Sequence, residues 1–383
     1  MVHPHDLFDK SEPWTIRVKS LAKEFVKKGE IVKVCYFPLA INENHLPKKL
    51  DSIELIPLDR TPSPKAFILN TMKLIGVCKW AEVVHFQKCQ HYASIPAIIA
   101  AYITGRALHY DWDDWEEKIW YESSGRALHS RFIGFSFKVL ERWLPFLSDT
   151  VSCASSHLKM LSQRYGVKKE RIFDAPVGAD LESFRPDLDG SMVRNKYNIK
   201  REMVLYIGQL HGAQYVSLFI KAANIVLHKV PTAAFVIVGE GFLEQKLKDL
   251  VYNLGIDNRV VFTGSVSHED IPYYIAAADV CVAAFKETEV TICKSPLKIV
   301  EYLASGKAIV ASNVGEVRKM VGGAGVLVKP SSQHALADGV LQLLGDGELR
   351  RRLGQRARRR AEGKYNWTCT AGNILKAYRS SSV

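Results

Sequence analysis

The strongest constraint on the fold is an alternation, present twice along the chain, of short runs rich in β-branched residues with longer amphipathic segments. The runs of the first half are 31–37, 53–58, 83–86, 107–110, 149–153 and 172–173, and those of the second half are 203–207, 234–238, 260–262, 280–284, 308–311 and 326–328. Such alternation predicts βαβ units and parallel sheets with helices on both faces. We therefore expect two Rossmann-like, doubly wound domains that face a cleft, with ligands at the carboxyl ends of the strands.

The length of the chain agrees with two domains. A chain of 383 residues exceeds the ~250–300 residues at which single cores stop growing. The predicted domains are 1–178 and 199–365, joined by a linker at 178–189, and the last helix, 366–383, is expected to pack back on the first domain. A helix over about 14–28 should end at Gly29. The opening, 1–4, leaves little room for the usual first strand, so we expect a truncated start.

Charge and cysteine usage narrow the function classes. A net charge of +12 favours anionic partners such as phosphates, acidic lipids or nucleic acid. The seven cysteines are scattered without a C-x-x-C pair, which argues against a disulfide framework or a zinc site and predicts a reducing cytoplasm. The longest apolar run, 93–103, is shorter than the ~20 residues of a membrane span, and no signal peptide precedes Met1. We expect a cytoplasmic protein, with the inner face of the membrane as an alternative location.

Three motifs of the second half occur in a distinctive order. They are V-G-A-D at 177–180 with Phe184 and Pro186, F-V-I-V-G-E-G at 235–241, and S-P-L-K-I-V-E-Y-L-A-S-G-K at 295–307, with F-T-G at 262–264 and A-D-V at 278–280 between them. Together they resemble the group 1 (family 4-like) retaining glycosyltransferases of the GT-B fold. The resemblance covers roughly residues 171–365. It implies a nucleotide diphosphate sugar as donor.

The third motif is expected to hold that donor. Ser295 is predicted to cap a helix that starts at Pro296 and Leu297, so free backbone N–H groups and the helix dipole would face a diphosphate. The resemblance implies that Lys298 binds the phosphate oxygens and stabilises the leaving group during catalysis. It implies that Glu301 accepts hydrogen bonds from the ribose diol. The alternative is an exposed ion pair between Lys298 and Glu301, worth a few tenths of a kcal/mol.

Glycines follow three strands of the second half. Gly208, Gly239 and Gly264 are expected to form tight turns that bring the backbone close to the donor. For the turn at Gly239, a purely structural role is an equal alternative. In the family, the loop at Gly264 lies where the base is held.

Acidic residues and a histidine follow a strand of the first half. His109, Asp111, Asp113 and Asp114 lie at its predicted carboxyl end, and the resemblance implies that a histidine or acid there contacts the transferred sugar. We consider Asp111 the first candidate for this contact, followed by His109 and Asp114. Helix caps for Asp113 or Asp114 and a buried His109 are the alternatives. The D-x-D spacing at 111–113 resembles a metal motif of the other glycosyltransferase fold, but neither a metal nor a resident cofactor is expected.

The segment 3–15 should face the acceptor, because in this fold the first loop closes over donor phosphates and acceptor. His5, Trp14 and Thr15 are the candidate contacts. A core position is the alternative for Trp14.

Two departures from the family pattern weaken the donor site. The family's E-x7-E pair has Cys293 in place of its first glutamate, and the usual arginine and lysine after 206–208 are replaced by Gln209 and Gln214. Lys294, Arg17 or Lys286 are possible replacements for the lost cations, because two phosphate charges in a cleft need compensation. A catalytically weak relative that binds a nucleotide sugar, or serves as a partner subunit, therefore stays open beside the enzyme.

The expected reaction is transfer of a sugar, with retention, to a glycan, lipid-linked or other hydroxyl acceptor, as in cell-surface polysaccharide biosynthesis. A GT-B epimerase is a further alternative. The predicted helix 125–147 interleaves cations with aromatic residues and could meet acidic lipids as an interfacial helix, or be buried with a charged rim. The arginines of 350–360 are interpreted as a solvated face, and no nucleic acid is expected as a partner.

Overall fold

The computed structural model describes residues 1–9, 15–39, 46–123, 128–210 and 215–381. The chain divides into two compact units. Unit 1 comprises Met1–Pro176 and Trp367–Val383, and unit 2 comprises Val177–Asn366.

A parallel sheet forms the centre of unit 1. Its strands are β1 (Val2–His3), β2 (Lys33–Tyr36), β3 (Lys49–Leu50), β4 (Ile53–Pro57), β5 (Val83–Gln87), β6 (Ala107–Trp112), β7 (Thr150–Cys153) and β8 (Ile172–Asp174). Their order is β3-β4-β2-β1-β5-β6-β7-β8, and only the edge strand β3 among those described runs antiparallel to its neighbour. The expectation of a missing first strand is wrong, because β1 lies in mid-sheet: Val2 and His3 pair with β2, and Val2 also pairs with β5.

Helices flank this sheet. They are α1 (Ile16–Lys27), α2 (Pro64–Cys78), α3 (His91–Thr104), α4 (Glu116–Ser123), α5 (Leu128–Leu147) and α6 (Ser156–Arg164). Helix α1 ends at Lys27 with Lys28 as its C-cap, and Gly29 follows with φ +90°, the left-handed conformation that glycine adopts at low cost. Ser63 and Ser155 cap α2 and α6 by accepting backbone N–H groups with their side chains.

Unit 2 contains a second parallel sheet. Its strands are β9 (Met203–Ile207), β10 (Ala234–Val238), β11 (Val260–Phe262), β12 (Val280–Ala283), β13 (Ala308–Ser312) and β14 (Gly325–Val328). Their order is β11-β10-β9-β12-β13-β14. The direction of winding therefore reverses between β9 and β12, and a crevice forms at the carboxyl ends of strands at such a point.

The helices of unit 2 cover both faces of its sheet. They are α7 (Ser191–Lys196), α8 (Val216–Leu227), α9 (Glu244–Asn253), α10 (Ile271–Ala277), α11 (Glu289–Cys293), α12 (Leu297–Ala304), α13 (Gly315–Val321), α14 (Gln333–Gly345) and α15 (Gly347–Gly363). Strand β9 shows the two layers: Met203 and Leu205 pack with α12, whereas Val204 and Tyr206 pack with α8. Alternation of this kind follows from the two-residue period of a strand.

The last helix, α16 (Trp367–Ser381), belongs to unit 1. Thr368 donates a hydrogen bond to Glu24 at 2.7 Å, and Thr370 donates one to the carbonyl of Pro176 at 2.8 Å. Helix α16 also contacts β6, β7 and β8. The sequence predicts that 366–383 packs on this domain, and unit 1 does include 367–383. The boundary between the units falls at 176–177, two residues before the predicted end at 178.

Candidate functional site

Three glycine turns lie side by side at the carboxyl edge of the sheet in unit 2. Gly208, Gly239 and Gly264 follow β9, β10 and β11, all with positive φ. The N–H of Gly239 donates to the carbonyl of Gly264 at 3.0 Å, and a Cβ on Gly239 would lie 2.1 Å from the carbonyl oxygen of Gly208. No side chain fits at that distance. The close approach of the backbone at Gly239 to the backbone at Gly208 therefore requires a glycine at position 239, whether or not a ligand is bound.

The segment that leads into α12 differs from the predicted cap. Helix α12 begins at Leu297, its N-cap position is Pro296, and no side chain caps it. The Ser295 hydroxyl instead accepts the N–H of Val177 at 3.3 Å and contacts the sulfur of Met320 at 3.7 Å. The prediction that Ser295 caps the helix is therefore wrong, because Pro296 is extended and carries Ser295 away from the first turn. Leu297 is half-buried against the apolar cluster beneath.

Lys298 is a buried cation in the first turn of α12. Its side-chain nitrogen lies 4.3 Å from the ring centroid of Tyr206 and 5.7 Å from that of Phe285. Burial, reinforced by the positive charge of Lys294, lowers the pKa of Lys298 to about 7, although Glu301 acts in the opposite direction. An ammonium with so depressed a pKa is stabilised by any anion that approaches it.

Glu301, one turn later, is paired with a histidine and not with Lys298. His268 Nε2 donates to Glu301 Oε1 at 2.7 Å. Glu301 is buried, whereas the His268 side chain is 44% exposed. Burial opposes the charge on His268, but the hydrogen bond and the charge of Glu301 outweigh it and raise the pKa of the imidazole. The alternative of an exposed Lys298–Glu301 ion pair is wrong, because both residues are buried and Glu301 has another partner.

The structure sorts the candidate replacements for the lost cations. Arg17 lies in unit 1, where Asp111 holds it. Lys286 extends over the ring of Tyr215 at 5.3 Å, and Lys294 is close enough to Lys298 to lower the pKa of that residue.

The residues that replace the family's usual charges are placed as follows. Cys293, in place of the family's first glutamate, is buried. Gln209 is described at the end of β9, whereas Gln214 lies outside the described residues.

In unit 1, Asp111 forms a buried ion pair. Arg17 donates to both carboxylate oxygens of Asp111 at 2.7 Å and to the carbonyl of Ala175, and Ser152 donates a further hydrogen bond at 2.5 Å. Burial would raise the pKa of Asp111, but Arg17 and Ser152 hold it well below its usual value. Asp111 is fully buried. The expectation that it contacts a sugar does not fit this position, because the carboxylate is fully buried and accepts three hydrogen bonds inside the unit.

His109 is also an interior residue. Its Nδ1 lies 2.9 Å from the Thr150 hydroxyl and its Nε2 lies 3.0 Å from that of Ser152. Since Ser152 gives its own proton to Asp111, Nε2 of His109 carries a proton and Nδ1 accepts one from Thr150. Burial lowers the pKa of His109 to about 4. The imidazole is therefore neutral and structural, as the alternative of a buried histidine stated.

The remaining acidic residues of this strand end surround Lys88, a residue that sequence reasoning missed. Lys88 has φ +67° and a buried side chain, and its ammonium lies 2.5 Å from Glu116, 3.4 Å from Asp113 and 4.0 Å from Asp114. Burial raises the pKa of Asp113 to about 7 although Lys88 opposes this. Asp114 is the most exposed of the three carboxylates, at 30%. No sequence signal marks Lys88, because it follows its strand without a motif.

The predicted acceptor-side residues are placed as follows. His5 is buried with its ring 5.4 Å from that of His3, and Thr15 is buried at the start of α1 without capping it through its side chain. Trp14 lies outside the described residues. Within the described part of the chain, no three His, Cys, Asp or Glu side chains are grouped as metal ligands.

Comparison with known proteins gives the site its context. Residues 191–360, which include the glycine turns, His268, Lys298 and Glu301, match the family model of glycosyl transferases group 1. The chain is 31% identical over 204 residues to the alpha-D-kanosaminyltransferase of Streptomyces kanamyceticus, covering 52% of this chain and 50% of the relative. It is 29% identical over 243 residues to the D-inositol 3-phosphate glycosyltransferase of Nocardia farcinica, covering 60% and 52%. The chain thus spans about half the length of these curated relatives.

Solved structures resemble the whole chain. The Anabaena protein HepE in complex with UDP and glucose aligns with a TM-score of 0.75 at 18% identity over 99% of both chains. Sucrose-phosphate synthase from Thermosynechococcus elongatus aligns with a TM-score of 0.73 at 19% identity, over 99% of this chain and 98% of that one. The fold is GT-B, with two Rossmann-like α/β domains.

Proposed function

We propose that this protein is a glycosyltransferase that moves a sugar from a nucleotide diphosphate sugar to a hydroxyl acceptor. The observation that carries the proposal is the presence of two buried charged residues, Lys298 and Glu301, one turn apart on α12. Both lie inside the segment that matches the glycosyltransferase family. Their helix follows β12, at the point where the sheet of unit 2 reverses its winding. Curated relatives named as glycosyltransferases and a fold shared with a UDP-bound protein support the same assignment.

Each residue has a role that its surroundings favour. Lys298, whose pKa is depressed to about 7, gains a counter-charge from the diphosphate and stabilises the negative charge that develops as this group leaves. The amino-terminal end of α12 adds the positive end of a helix dipole. Glu301 accepts hydrogen bonds from the ribose hydroxyls. The reaction proceeds with retention, the leaving phosphate assisting removal of the acceptor proton, and it requires no metal.

A thermal-shift screen tests the donor site. Purified protein is incubated with UDP-, GDP-, ADP- and dTDP-sugars, and the same screen is run on Lys298→Ala and Glu301→Ala. The proposal expects a rise in Tm with one base that both substitutions remove. The controls are Lys229→Ala and Glu348→Ala, which remove one exposed charge of each sign elsewhere in unit 2. No rise with any nucleotide favours the weakened, partner-type relative, and with the identified donor, proton NMR of the product reports whether the anomeric configuration is retained.

We further propose that the acceptor is lipid-linked and is met at an anionic membrane surface. The support is the outer face of α5, defined by its exposed side chains Arg131, Phe132, Phe135, Lys138, Val139, Arg142, Trp143, Phe146 and Leu147. Glu141, the one acidic residue in the sequence of α5, points inward and accepts the N–H groups of Glu116 and Glu117. An aromatic face flanked by cations suits the boundary between head groups and acyl chains.

The outer face of α5 continues onto α3. The Tyr102 hydroxyl, on α3, donates to the carbonyl of Leu147 at 2.9 Å, and Tyr102 and Ile103 are themselves exposed. None of the helices among the described residues combines the length and hydropathy that a bilayer crossing requires. We propose that membrane contact through this face is peripheral, at the inner face of the membrane.

Sedimentation with vesicles tests the membrane contact. The protein is expected to bind vesicles containing phosphatidylglycerol and not vesicles of phosphatidylcholine alone. The double variant Lys138→Glu, Arg142→Glu should weaken binding about tenfold or more, since each basic residue near an anionic surface contributes ~1 kcal/mol. The control Arg352→Glu, Arg359→Glu makes the same charge change on α15, a helix of unit 2 that is not part of this face. An equal loss of binding in that control would contradict the assignment.

A further inference from the structure

Glu301 has one carboxylate oxygen engaged and one open. Oε1 accepts the hydrogen bond of His268 at 2.7 Å, whereas Oε2 accepts no hydrogen bond from the described residues. A carboxylate offers about four acceptor positions. The geometry therefore fixes the side chain of Glu301 through one oxygen and leaves capacity for a second donor on the other.

His268 belongs to a different element from Glu301. It lies in the loop that follows β11 and contains Gly264, between that strand and α10. The imidazole packs against the ring of Phe184, with centroids 5.6 Å apart. Its hydrogen bond therefore joins the loop after β11 to α12. The family resemblance places the base at this loop, and we assign the ribose and the phosphates to α12.

The charges around His268 favour a persistent bond. Glu301, Asp180 and Glu269 all favour the protonated imidazole and outweigh the effect of burial, so that the pKa of His268 is raised. Protonated histidine donates from both ring nitrogens, and neutral histidine still donates from Nε2 in one tautomer. The bond to Glu301 can therefore persist on either side of the imidazole pKa.

We propose that His268 is a positioning residue that orients the Glu301 carboxylate for a ribose diol and couples the loop after β11 to the sugar of the nucleotide. The proposal rests on the proposed function, since it requires that Glu301 accepts hydrogen bonds from the ribose hydroxyls. His268 acts through Glu301 and does not touch the substrate. It makes the preference for ribose over deoxyribose depend on a side chain of the neighbouring loop.

A purely structural role for His268 predicts a different result. In that case its removal lowers the stability of the unit and weakens all nucleotides by the same factor. A positioning role predicts a loss that is specific to nucleotides with a 2′-hydroxyl. The ratio of the two dissociation constants, for a deoxynucleotide and its ribonucleotide, separates the two roles because general destabilisation cancels in it.

The experiment is calorimetric titration of UDP and 2′-deoxy-UDP, with GDP and 2′-deoxy-GDP in parallel, into the wild-type chain and into His268→Ala, His268→Gln and Glu301→Ala. The wild type should prefer the ribonucleotide about tenfold or more, since a hydrogen bond to a charged group is worth ~1.5–3 kcal/mol. His268→Ala should reduce this preference to about threefold or less. His268→Gln should restore it, because its amide nitrogen can donate to Glu301 from nearly the same place.

The outcomes separate this inference from the proposed function. If Glu301→Ala abolishes the ribose preference while His268→Ala leaves it intact, the positioning role is overturned and the donor site stands. If Glu301→Ala leaves the preference intact, the ribose role of Glu301 fails and the positioning role fails with it. A His268→Gln variant that behaves like His268→Ala while keeping the wild-type Tm also overturns the proposal.

Discussion

At the scale of single residues, burial decides what each ionisable group can do. Asp111 and Lys298 are both buried charges, but Arg17 compensates Asp111 on both oxygens, whereas Lys298 is surrounded by aromatic rings and a second lysine. A compensated charge is structural. A buried cation whose pKa is depressed is a candidate for anion binding. The sequence shows both residue types but does not show their partners, which come from distant segments, and for that reason it could not rank Asp111 below Lys298.

The depressed pKa of Lys298 predicts that nucleotide binding weakens as the pH rises. Binding of a diphosphate raises the pKa of Lys298 above its unliganded value of about 7, so the complex takes up a proton. Affinity should be greatest below pH 7 and should fall by up to about tenfold per pH unit above it. Calorimetric titrations between pH 6 and 9 measure this.

Lys298→Arg is the matched control for the pH profile. Arginine stays charged over the whole range, so its profile reports only the titration of the nucleotide and of other groups. The difference between the two profiles belongs to Lys298. Identical profiles for wild type and Lys298→Arg would contradict the role assigned to this lysine.

The Arg17–Asp111 pair predicts a large and non-additive effect on stability. Arg17→Met leaves a buried carboxylate without its cation and should cost ~3–5 kcal/mol, whereas the double variant Arg17→Met, Asp111→Leu should cost much less than the sum of the single variants. Urea unfolding followed by tryptophan fluorescence measures it, because all seven tryptophans of the chain lie in the segments of unit 1. Additive single effects would contradict a coupled pair.

At the scale of elements, hydrophobic runs located the strands well where both ends of a strand are apolar. Strands β9, β10 and β11 have the bounds that the sequence predicted. The prediction for β6 ended at 110, whereas the strand continues to Trp112, because Arg17 neutralises the aspartate inside it.

Two element starts could not be predicted from local patterns. Strand β1 escaped prediction because two residues are too few for a periodic signal. The start of α12 was predicted one residue early, since a serine before proline resembles a cap even where the chain is extended.

The glycine turns of unit 2 predict a contrast between two alanine substitutions. Gly239→Ala places a Cβ 2.1 Å from a backbone oxygen, whereas a Cβ on Gly264, which also has positive φ, meets nothing within 4 Å. Gly264→Ala should cost only the ~1–2 kcal/mol of the left-handed conformation, and Gly239→Ala should cost clearly more. Circular dichroism detects the loss in unit 2, and tryptophan fluorescence should change little. Equal costs would contradict the close approach of the two backbones.

At the scale of the whole molecule, the two units carry different parts of the proposed function. The family match and the residues proposed to bind the donor fall in unit 2, and the outer face of α5 falls in unit 1. The fold was predictable because the βαβ rhythm and the order of three motifs extend over long segments. The candidate site was predictable only where a motif contained it, as with Lys298 and Glu301. His268 and Lys88 were not, since their importance arises from pairings across the fold.

The most direct test of the donor site is calorimetric titration of a nucleoside diphosphate, UDP first and then GDP and ADP, into the wild-type protein, Lys298→Ala and Glu301→Ala. We expect one nucleotide to bind with a stoichiometry of about one, and each substitution to weaken it about tenfold or more, as loss of a charged hydrogen-bond partner does. Wild-type binding that neither substitution weakens would contradict the donor site on α12.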